Sequence, residues 1–424
     1  MSQPSERIPG HIRALLAANF VSVLGSGLTL PFLLIYLHQV RGISLGITGL
    51  LIGGTSIVSV PIGPATGVLV DRIGPRVVCA SALVFESLGT LGLILVHSPV
   101  SALPVMVIYG IANGSTWPSW NALFAVLVTD EHLRPRVFAR SFQLLNLGLG
   151  VGAVVAGSIV YVADPGSFVR VYLIDGLTYA AIVGALIVMP SWAFARPATS
   201  AHAAPEHPKG GYRAVFADRR FVRYLVATAL MMFAGYAAVQ TGFVGYATSV
   251  IHSGPSVIAW AFAVNTGMIV VLQPFALRLV GRMRRSSALA LCAALFGMAW
   301  IVLAIGGQFP RTFAGSALVV AMFGVFSLGE VLLAPVGGPI VTMLARPELQ
   351  GRYSATASSV VTVMNVLCPV FAGALLGAGL GDVFLGALIG CSAAAIAAFA
   401  WMRESLSPEI DNVRPLPAAR PVEA

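Results

Sequence analysis

The chain has 424 residues, of which 57% are hydrophobic and only 10% are charged, and its mean hydropathy is +0.88. Soluble globular domains carry about a quarter charged residues, so this composition excludes an ordinary soluble protein and predicts an integral membrane protein. The formal net charge is +9. A positive charge indicates nucleic-acid binding when it forms a basic patch on a soluble face, and the sequence has no such patch. We therefore expect no nucleic-acid partner.

Apolar segments of about 20 residues, the length that crosses a bilayer, recur along the whole chain. Twelve segments meet this description, although the tenth is too long for a simple span. The predicted spans are 13–37, 46–69, 77–97, 102–127, 141–162, 171–190, 222–248, 256–277, 287–306, 313–343, 355–377 and 381–402. The sequence therefore predicts an all-α integral membrane protein with twelve transmembrane helices.

The basic residues test this span count, because lysine and arginine favour the cytoplasmic side of a membrane. With the N-terminus in the cytoplasm, 22 of the 25 lysines and arginines fall on the cytoplasmic side. Arg41, Arg170 and Arg311 fall on the other side. We therefore predict a multi-pass protein of the cell inner (plasma) membrane with both termini in the cytoplasm.

The segment between the second and third spans, GVLVDRIGPR, is short, charged and punctuated by glycine. It places Gly67, Asp71, Arg72, Gly74 and Arg76 in the spacing Gly-x3-Asp-Arg-x-Gly-x-Arg. Glycine permits positive φ and close backbone approach, and a helix N-terminus favours a carboxylate. The spacing resembles the loop between helices 2 and 3 of the major facilitator superfamily of secondary transporters. The alternative is a charged turn that merely ends two spans at the membrane surface.

The resemblance covers about residues 11–403. It implies a fold of two pseudo-symmetric six-helix bundles. Weak internal repeats favour such a duplication: PATGVLVDRIGPR, from Pro64, matches PFALRLVGRMRRS, from Pro274. The expected parts are an N-terminal six-helix bundle (1–190), a cytoplasmic linker (191–221), a C-terminal six-helix bundle (222–403) and a disordered cytoplasmic tail (404–424). The resemblance further implies a gating role for the loop, with Asp71 docked near Ser354 and Thr356 at the start of span 11.

Three carboxylates lie inside predicted spans, where a charge costs roughly 2.5–3.5 kcal/mol at a helix centre on insertion scales. They are Glu86 in span 3, Asp175 in the outer third of span 6, and Glu330 in span 10. Burial disfavours a charged carboxylate, which suits a group that must take up and release protons. Glu330 is the first candidate for proton coupling, because the resemblance places span 10 beside the central cavity. Asp175 could instead be a surface anchor paired with Arg170, and span 3 is peripheral in the superfamily.

Uncharged polar and aromatic side chains recur in spans that the resemblance places around the centre. Such a lining suits amphipathic or aromatic molecules, although about half of these residues are expected to bond helix to helix instead. The candidates for the substrate cavity are Asn19, Tyr36, Trp117, Asn121, Gln143, Asn146, Tyr236, Gln240, Asn265 and Asn365.

Other signatures of the superfamily are incomplete. Its span 4 normally carries an arginine three residues before a Gln-Gly pair, but here Asn113-Gly114 resembles the pair and the arginine position is Gly110. Arg140 is a candidate substitute, although an interfacial role is the simpler interpretation. Span 5 has the glycines of exporters without their proline, which weakens the case for export.

Several classes of site have no support in the sequence. The four cysteines all lie inside predicted spans, and no histidine pair has the i, i+4 spacing of a helical metal site. The single lysine, Lys209, is followed by Gly-Gly, so no GxxxxGK[ST] loop exists to bind ATP. HExxH and GxSxG motifs are also absent. We therefore expect no metal, no cofactor and no enzymatic activity.

The first span, GSGLTLPFLLIYLHQVRGIS from Gly25, resembles that of the drug:proton antiporter branch, which performs multidrug efflux and confers antibiotic resistance. This resemblance favours a monomeric, proton-coupled exporter of amphipathic or aromatic small molecules, embedded in the lipid bilayer. A proton-coupled importer of nutrients or metabolites is the alternative. A membrane sensor or lipid-processing protein on the same scaffold is the rival from a different class.

Overall fold

The computed structural model describes residues 8–128, 133–188, 212–346 and 349–411, which are almost entirely helical. Twelve long helical segments lie within these ranges. They are α1 (Gly10–Val40), α2 (Leu45–Ile73), α3 (Pro75–Leu95), α4 (Pro99–Leu127), α5 (Arg134–Ile159), α6 (Pro165–Val188), α7 (219–249), α8 (Pro255–Val280), α9 (Arg285–Gly307), α10 (Phe313–Leu344), α11 (Gln350–Gly377) and α12 (Gly381–Arg403).

These helices match the twelve predicted spans one for one. Among the described residues, eleven are long and apolar enough to cross a membrane by length and composition. The exception is α4, which contains the polar run NGSTWPSWN. The tenth segment, which is long for a simple span, is a single helix of 32 residues.

Local caps decide where several helices begin. Ser98 accepts a hydrogen bond from the backbone N–H of Ser101 ahead of α4, and proline occupies the first position of that helix. Asp218 caps α7 in the same way, so α7 begins at Arg219. The predicted linker therefore extends too far at its C-terminal end, and a short helix, Tyr212–Ala217, lies just before α7. Residues 189–211 of the linker lie outside the described residues.

The first part of the predicted tail is ordered, which corrects the expectation of disorder for residues 404–411. Asp411 is buried and accepts hydrogen bonds from the backbone N–H and the hydroxyl of Ser286, at 2.8 and 2.9 Å. The guanidinium of Arg285 donates to the carbonyl oxygen of Ile410 at 2.6 Å. A carboxylate at a helix N-terminus is favoured by the helix dipole, so the tail caps α9. Residues 412–424 lie outside the described residues.

Helices α1–α6 pack mainly on one another, as do α7–α12, and the two sets meet where α2 packs on α11 and α5 packs on α8. We call the end that carries residues 41–45 and 378–381 the far end, and the end that carries residues 71–76 the loop end. Gly49 and Gly53 of α2 lie directly on the backbone carbonyls of Pro369 and Val366, toward the far end. Near the loop end, no neighbouring atom of the described residues lies within 4 Å of the Cβ position of Gly67. In this state the two sets of helices are closed at the far end.

The first helix of each set is interrupted at a corresponding place. In α1 the α-helix ends at Thr29, and a 3-10 turn with Pro31 and a π-helical turn follow. In α7 the α-helix ends before Gly235, and a π-helical turn begins at Val239. At this interruption the indole N–H of Trp300 donates to the carbonyl of Ala234. Both interruptions lie beside a carboxylate.

Candidate functional site

The carboxylate of Glu330 lies on α10, facing α7 and α8. The hydroxyl of Tyr236 donates to its Oε1 at 2.7 Å, and Nδ2 of Asn265 donates to its Oε2 at 2.8 Å. Asn265 also donates to the hydroxyl of Ser327 at 2.9 Å. Three residues predicted separately, Glu330, Tyr236 and Asn265, are therefore brought together. We call these three residues and Ser327 the Glu330 cluster.

The interruption in α7 positions Tyr236, which follows Gly235 directly. The Tyr236 ring stands edge-on to Phe296 and Phe326, with centroids 6.5 and 6.2 Å away. Those two phenylalanines stack on each other at 4.4 Å, so the wall behind the tyrosine is rigid and apolar. A Cβ atom on Gly235 would lie 2.6 Å from the Phe296 ring, which explains the glycine at this position.

The Glu330 cluster can adapt to either protonation state. No salt bridge reaches Glu330 within the described ranges, and both of its partners are neutral donors. A hydroxyl can donate to a charged carboxylate or accept from a neutral one, so Tyr236 can serve both forms. The arrangement can therefore gain and lose a proton without a compensating cation.

Asp175 is not a surface anchor, which corrects that interpretation. Its side chain is 1% exposed, and the hydroxyl of Thr29, at the interruption in α1, donates to its Oδ2 at 2.6 Å. Its Oδ1 is buried, and no group in the described part of the chain donates a hydrogen bond to it. Arg170 instead forms a salt bridge with Asp164 at 2.8 Å on the surface. Residues five apart on a helix lie on different faces, which is why Arg170 and Asp175 do not pair.

Glu86 borders a cavity of about 500 Å³ enclosed by α1, α3, α4, α5 and α6. The carboxylate is 8% exposed, and the hydroxyl of Thr116 donates to its Oε1 at 3.1 Å. The predicted residues Asn19, Trp117 and Asn121 line the same cavity. We call this space the Glu86 pocket. Its position shows that α3, although peripheral, can present a side chain to an internal cavity.

The remaining cavity candidates lie in various surroundings. Tyr36 is fully buried, donates to the carbonyl of Leu93 and accepts from Arg41, so it supports the packing of α1 and does not line a cavity. Gln143 accepts from Arg140 at 3.4 Å, and the carbonyl of Asn146 accepts from Thr266 of α8 at 3.4 Å. Asn365 is half-buried. The side chain of Gln240 lies outside the described residues.

The structure also explains why span 4 has no arginine at Gly110. A Cβ atom there would lie 2.7 Å from the carbonyl of Thr55 and 2.5 Å from the Val58 side chain, so α2 and α4 are too close for a larger residue. Arg140 is exposed on α5, where its guanidinium reaches Gln143, and it does not replace the missing group.

In the loop motif, Asp71 and Arg72 belong to the last turns of α2, and Gly74 alone separates α2 from α3. Gly74 has φ +88° and ψ 153°, a conformation that is essentially restricted to glycine. Arg76 ties α3 to α6 by donating to the carbonyl of Ile187 at 2.8 Å. Asp71 is exposed in this state. Its docking on the start of α11 stays a prediction.

We expect Gly74→Ala to destabilise the protein by roughly 1–3 kcal/mol, because alanine is strained at this backbone conformation. Gly67→Ala is the matched control for stability, since a Cβ atom there meets nothing within 4 Å. Thermal unfolding of the purified variants in detergent measures the difference. Equal melting temperatures for the two variants would contradict the assigned backbone strain.

The sequence does not identify the hydroxyl groups that donate to the carboxylates, namely those of Thr29 and Thr116, or the hydroxyl of Ser327, which accepts from Asn265. Serine and threonine are common in membrane helices, where their hydroxyls usually donate to a backbone carbonyl of the same helix. The presence of either residue in a span therefore does not indicate a partner for a carboxylate. The identification of these partners requires the rotation of each helix about its axis, which only the packed structure supplies.

The sequence model of the Major Facilitator Superfamily matches residues 15–255, more than half of the chain. The uncharacterized MFS-type transporter YttB of Bacillus subtilis (strain 168) is 24% identical over 375 residues, covering 87% of this chain and 89% of YttB. A Na(+), Li(+), K(+)/H(+) antiporter of Planococcus maritimus is 22% identical, covering 85% and 88%. The multidrug resistance protein MdtH of Salmonella arizonae (strain ATCC BAA-731 / CDC346-86 / RSK2980) is 22% identical, covering 80% and 79%.

Solved transporter structures share the fold. The peptide transporter POT in complex with sulfate superposes with a TM-score of 0.72 at 16% identity, covering 97% of each chain. The nucleoside transporter NupG superposes with a TM-score of 0.75 at 14% identity, covering 93% of this chain and all of NupG. At these identities the similarity concerns the fold alone.

Proposed function

Because the chain belongs to the Major Facilitator Superfamily, and is a transporter rather than an enzyme, we propose that it is a proton-coupled exporter of amphipathic or aromatic small molecules. The relatives described as a transporter and an antiporter argue against the two rivals, the membrane sensor and the lipid-processing protein. Transport then proceeds by alternating access between two six-helix bundles, and the protein works as a monomer in the plasma membrane with both termini in the cytoplasm.

The single observation that carries proton coupling is the Glu330 cluster. A carboxylate inside a membrane span, held by two neutral donors and by no cation among the described residues, has the chemistry of a proton carrier. Asp164, by contrast, is a surface carboxylate that pairs with the guanidinium of Arg170. The two relatives described as an antiporter and as a multidrug resistance protein support exchange and export.

The charge bias supports a cytoplasmic position for the loop end, and in that orientation the state closed at the far end is the inward-facing one. In this state an exporter would collect its substrate from the cytoplasm or the inner leaflet. The apolar and aromatic lining of the Glu86 pocket, and the lack of lysine or arginine among its described lining residues, support an uncharged or cationic aromatic substrate.

The loop motif is the proposed gate, with Asp71 docking on the start of α11 when the loop end closes. We expect Asp71→Asn to lower transport sharply, by about tenfold, because it removes the charge that favours a helix N-terminus while keeping the shape. Glu404→Gln, an exposed carboxylate near the same end, is the matched control. Transport by proteoliposomes at equal protein content is the measurement, and full activity of Asp71→Asn would reduce the motif to a topological stop.

The proposed function itself is tested in an efflux-deficient host, with and without the gene. Export predicts reduced susceptibility to at least one aromatic compound in a drug panel. In everted membrane vesicles, the same compound should release protons from an acidified lumen, measured by the recovery of acridine orange fluorescence. Uptake of a compound into whole cells, driven inward by the proton gradient, would instead identify the importer.

A further inference from the structure

The Glu86 pocket contains a buried carboxylate that the proton-coupling proposal does not use. Glu86 is 8% exposed, and Thr116 donates to its Oε1. Its Oε2 accepts no hydrogen bond from the described residues, although the side chain lines the pocket. A carboxylate oxygen left open to an internal cavity needs a partner that enters the cavity.

Aromatic rings form much of the pocket wall. Trp120 and Phe124 stack with their centroids 5.3 Å apart and their planes within 9°. Trp117 also lines the pocket, is 61% exposed, and lies on the helix that carries Thr116. The other aromatic lining residues are Phe138, Phe142 and Tyr179. The faces of such rings carry negative electrostatic potential, which attracts cations.

The pocket carries one formal charge, and it is negative. No lysine, arginine or histidine is found among its described lining residues, and the other polar groups are amides and hydroxyls such as Asn19, Asn113 and Ser26. An anion would meet an uncompensated carboxylate. A small inorganic cation would need about six oxygen ligands, whereas this wall is mostly apolar. A volume of about 500 Å³ lies in the range of sites for drug-sized ligands.

We propose that the Glu86 pocket binds a monovalent aromatic organic cation, with Glu86 as its counter-ion and Trp117 and Trp120 as its stacking surfaces. This assignment names the substrate class of the exporter and rests on the proposed function. It assigns Glu86 to substrate binding and leaves proton coupling to Glu330, in the other set of helices.

Equilibrium binding of tetraphenylphosphonium to the purified, full-length protein in detergent tests the assignment. No proton gradient is present, so the result is independent of coupling and of transport direction. We expect saturable binding that Glu86→Gln weakens by at least about tenfold, since the ion pair and its desolvated environment are lost. Asp382→Asn, which removes an exposed carboxylate at the start of α12, should bind like the parent protein. Triphenylphosphine oxide, a neutral aromatic analogue, should bind to the parent and to Glu86→Gln with similar weak affinity.

Three results would overturn the assignment: no binding by the parent protein, equal affinity in Glu86→Gln, or equal loss in Asp382→Asn. If Glu86→Gln is not monodisperse, Trp117→Ala replaces it, because this side chain is exposed. Trp117→Ala should weaken tetraphenylphosphonium binding by about three- to tenfold, in line with a cation–π contact, and an unchanged affinity overturns the proposal. Glu86-dependent binding without gradient-driven transport would leave the pocket assigned and refute proton-coupled export.

Discussion

Glu330→Gln should abolish transport driven by a pH gradient, lowering it by at least about tenfold, while exchange of substrate across the membrane continues in part. Glutamine keeps the size of the side chain and can still accept from Tyr236 or Asn265, but it cannot take up a proton. Binding and alternating access do not require that proton, so exchange survives. Proteoliposomes with and without an imposed pH gradient separate the two activities.

Asp175→Asn is the matched comparison, because it removes a buried carboxylate from the other set of helices. Thr29 can still donate to the amide oxygen, so the fold at the interruption of α1 should persist. If Glu330→Gln still transported substrate uphill and Asp175→Asn did not, proton coupling would be assigned to Asp175 instead of Glu330. Normal uphill transport by both variants would leave Glu86 as the remaining carboxylate and would put the coupling ion itself in question.

Gly49→Ala should disfavour closure of the far end and thereby slow transport. A Cβ atom at Gly49 would overlap the backbone carbonyl of Pro369, and backbone cannot move aside as a flexible side chain can. Overpacking of this kind costs about 1–3 kcal/mol, which corresponds to roughly 5- to 150-fold in the equilibrium between two states. The variant should therefore populate the state that is open at the far end.

Gly54→Ala controls for helix propensity, because it adds the same methyl group to the same helix. No atom of the described residues lies within 4 Å of the Cβ position of Gly54. Spin labels at Val100 and Val383, which are 75% and 54% exposed and lie on opposite sets of helices, report the distance across the far end. A longer distance in Gly49→Ala than in Gly54→Ala is expected. Identical distances and transport rates in the two variants would show that this contact does not limit closure.

The elements of the fold could be predicted because a membrane span has a simple physical signature. Each predicted span overlaps one helix, and the errors lie where polar residues extend or begin a helix. Hydropathy predicts a loop at Asp71 and Arg72, yet these residues continue α2 to Ile73. It predicts that Arg219 belongs to the linker, yet the cap at Asp218 begins α7 there. Hydropathy locates the apolar centre of each membrane span, whereas capping residues determine where each helix begins and ends.

The candidate site was predictable as a set of residue types and not as a set of contacts. A carboxylate in a span is costly wherever it lies, so Glu86, Asp175 and Glu330 could be identified from the sequence. Their partners depend on helix rotation and on the interruptions of α1 and α7. Tyr36 and Tyr236 are both tyrosines in the first helix of a set, yet one is fully buried and the other reaches Glu330.

The cap that Asp411 provides for α9 has a consequence for the order of biosynthesis. Ser286 and Asp411 are 125 residues apart, so at about 5–20 residues per second the ribosome needs roughly 6–25 s to pass from one to the other. During that interval the first N–H groups of α9 lack their carboxylate. The N-terminus of α9 is thus completed only after all twelve helices have been made. A chain that terminates just after Arg403 would contain all twelve helices, but α9 would lack the carboxylate of Asp411 at its N-terminus.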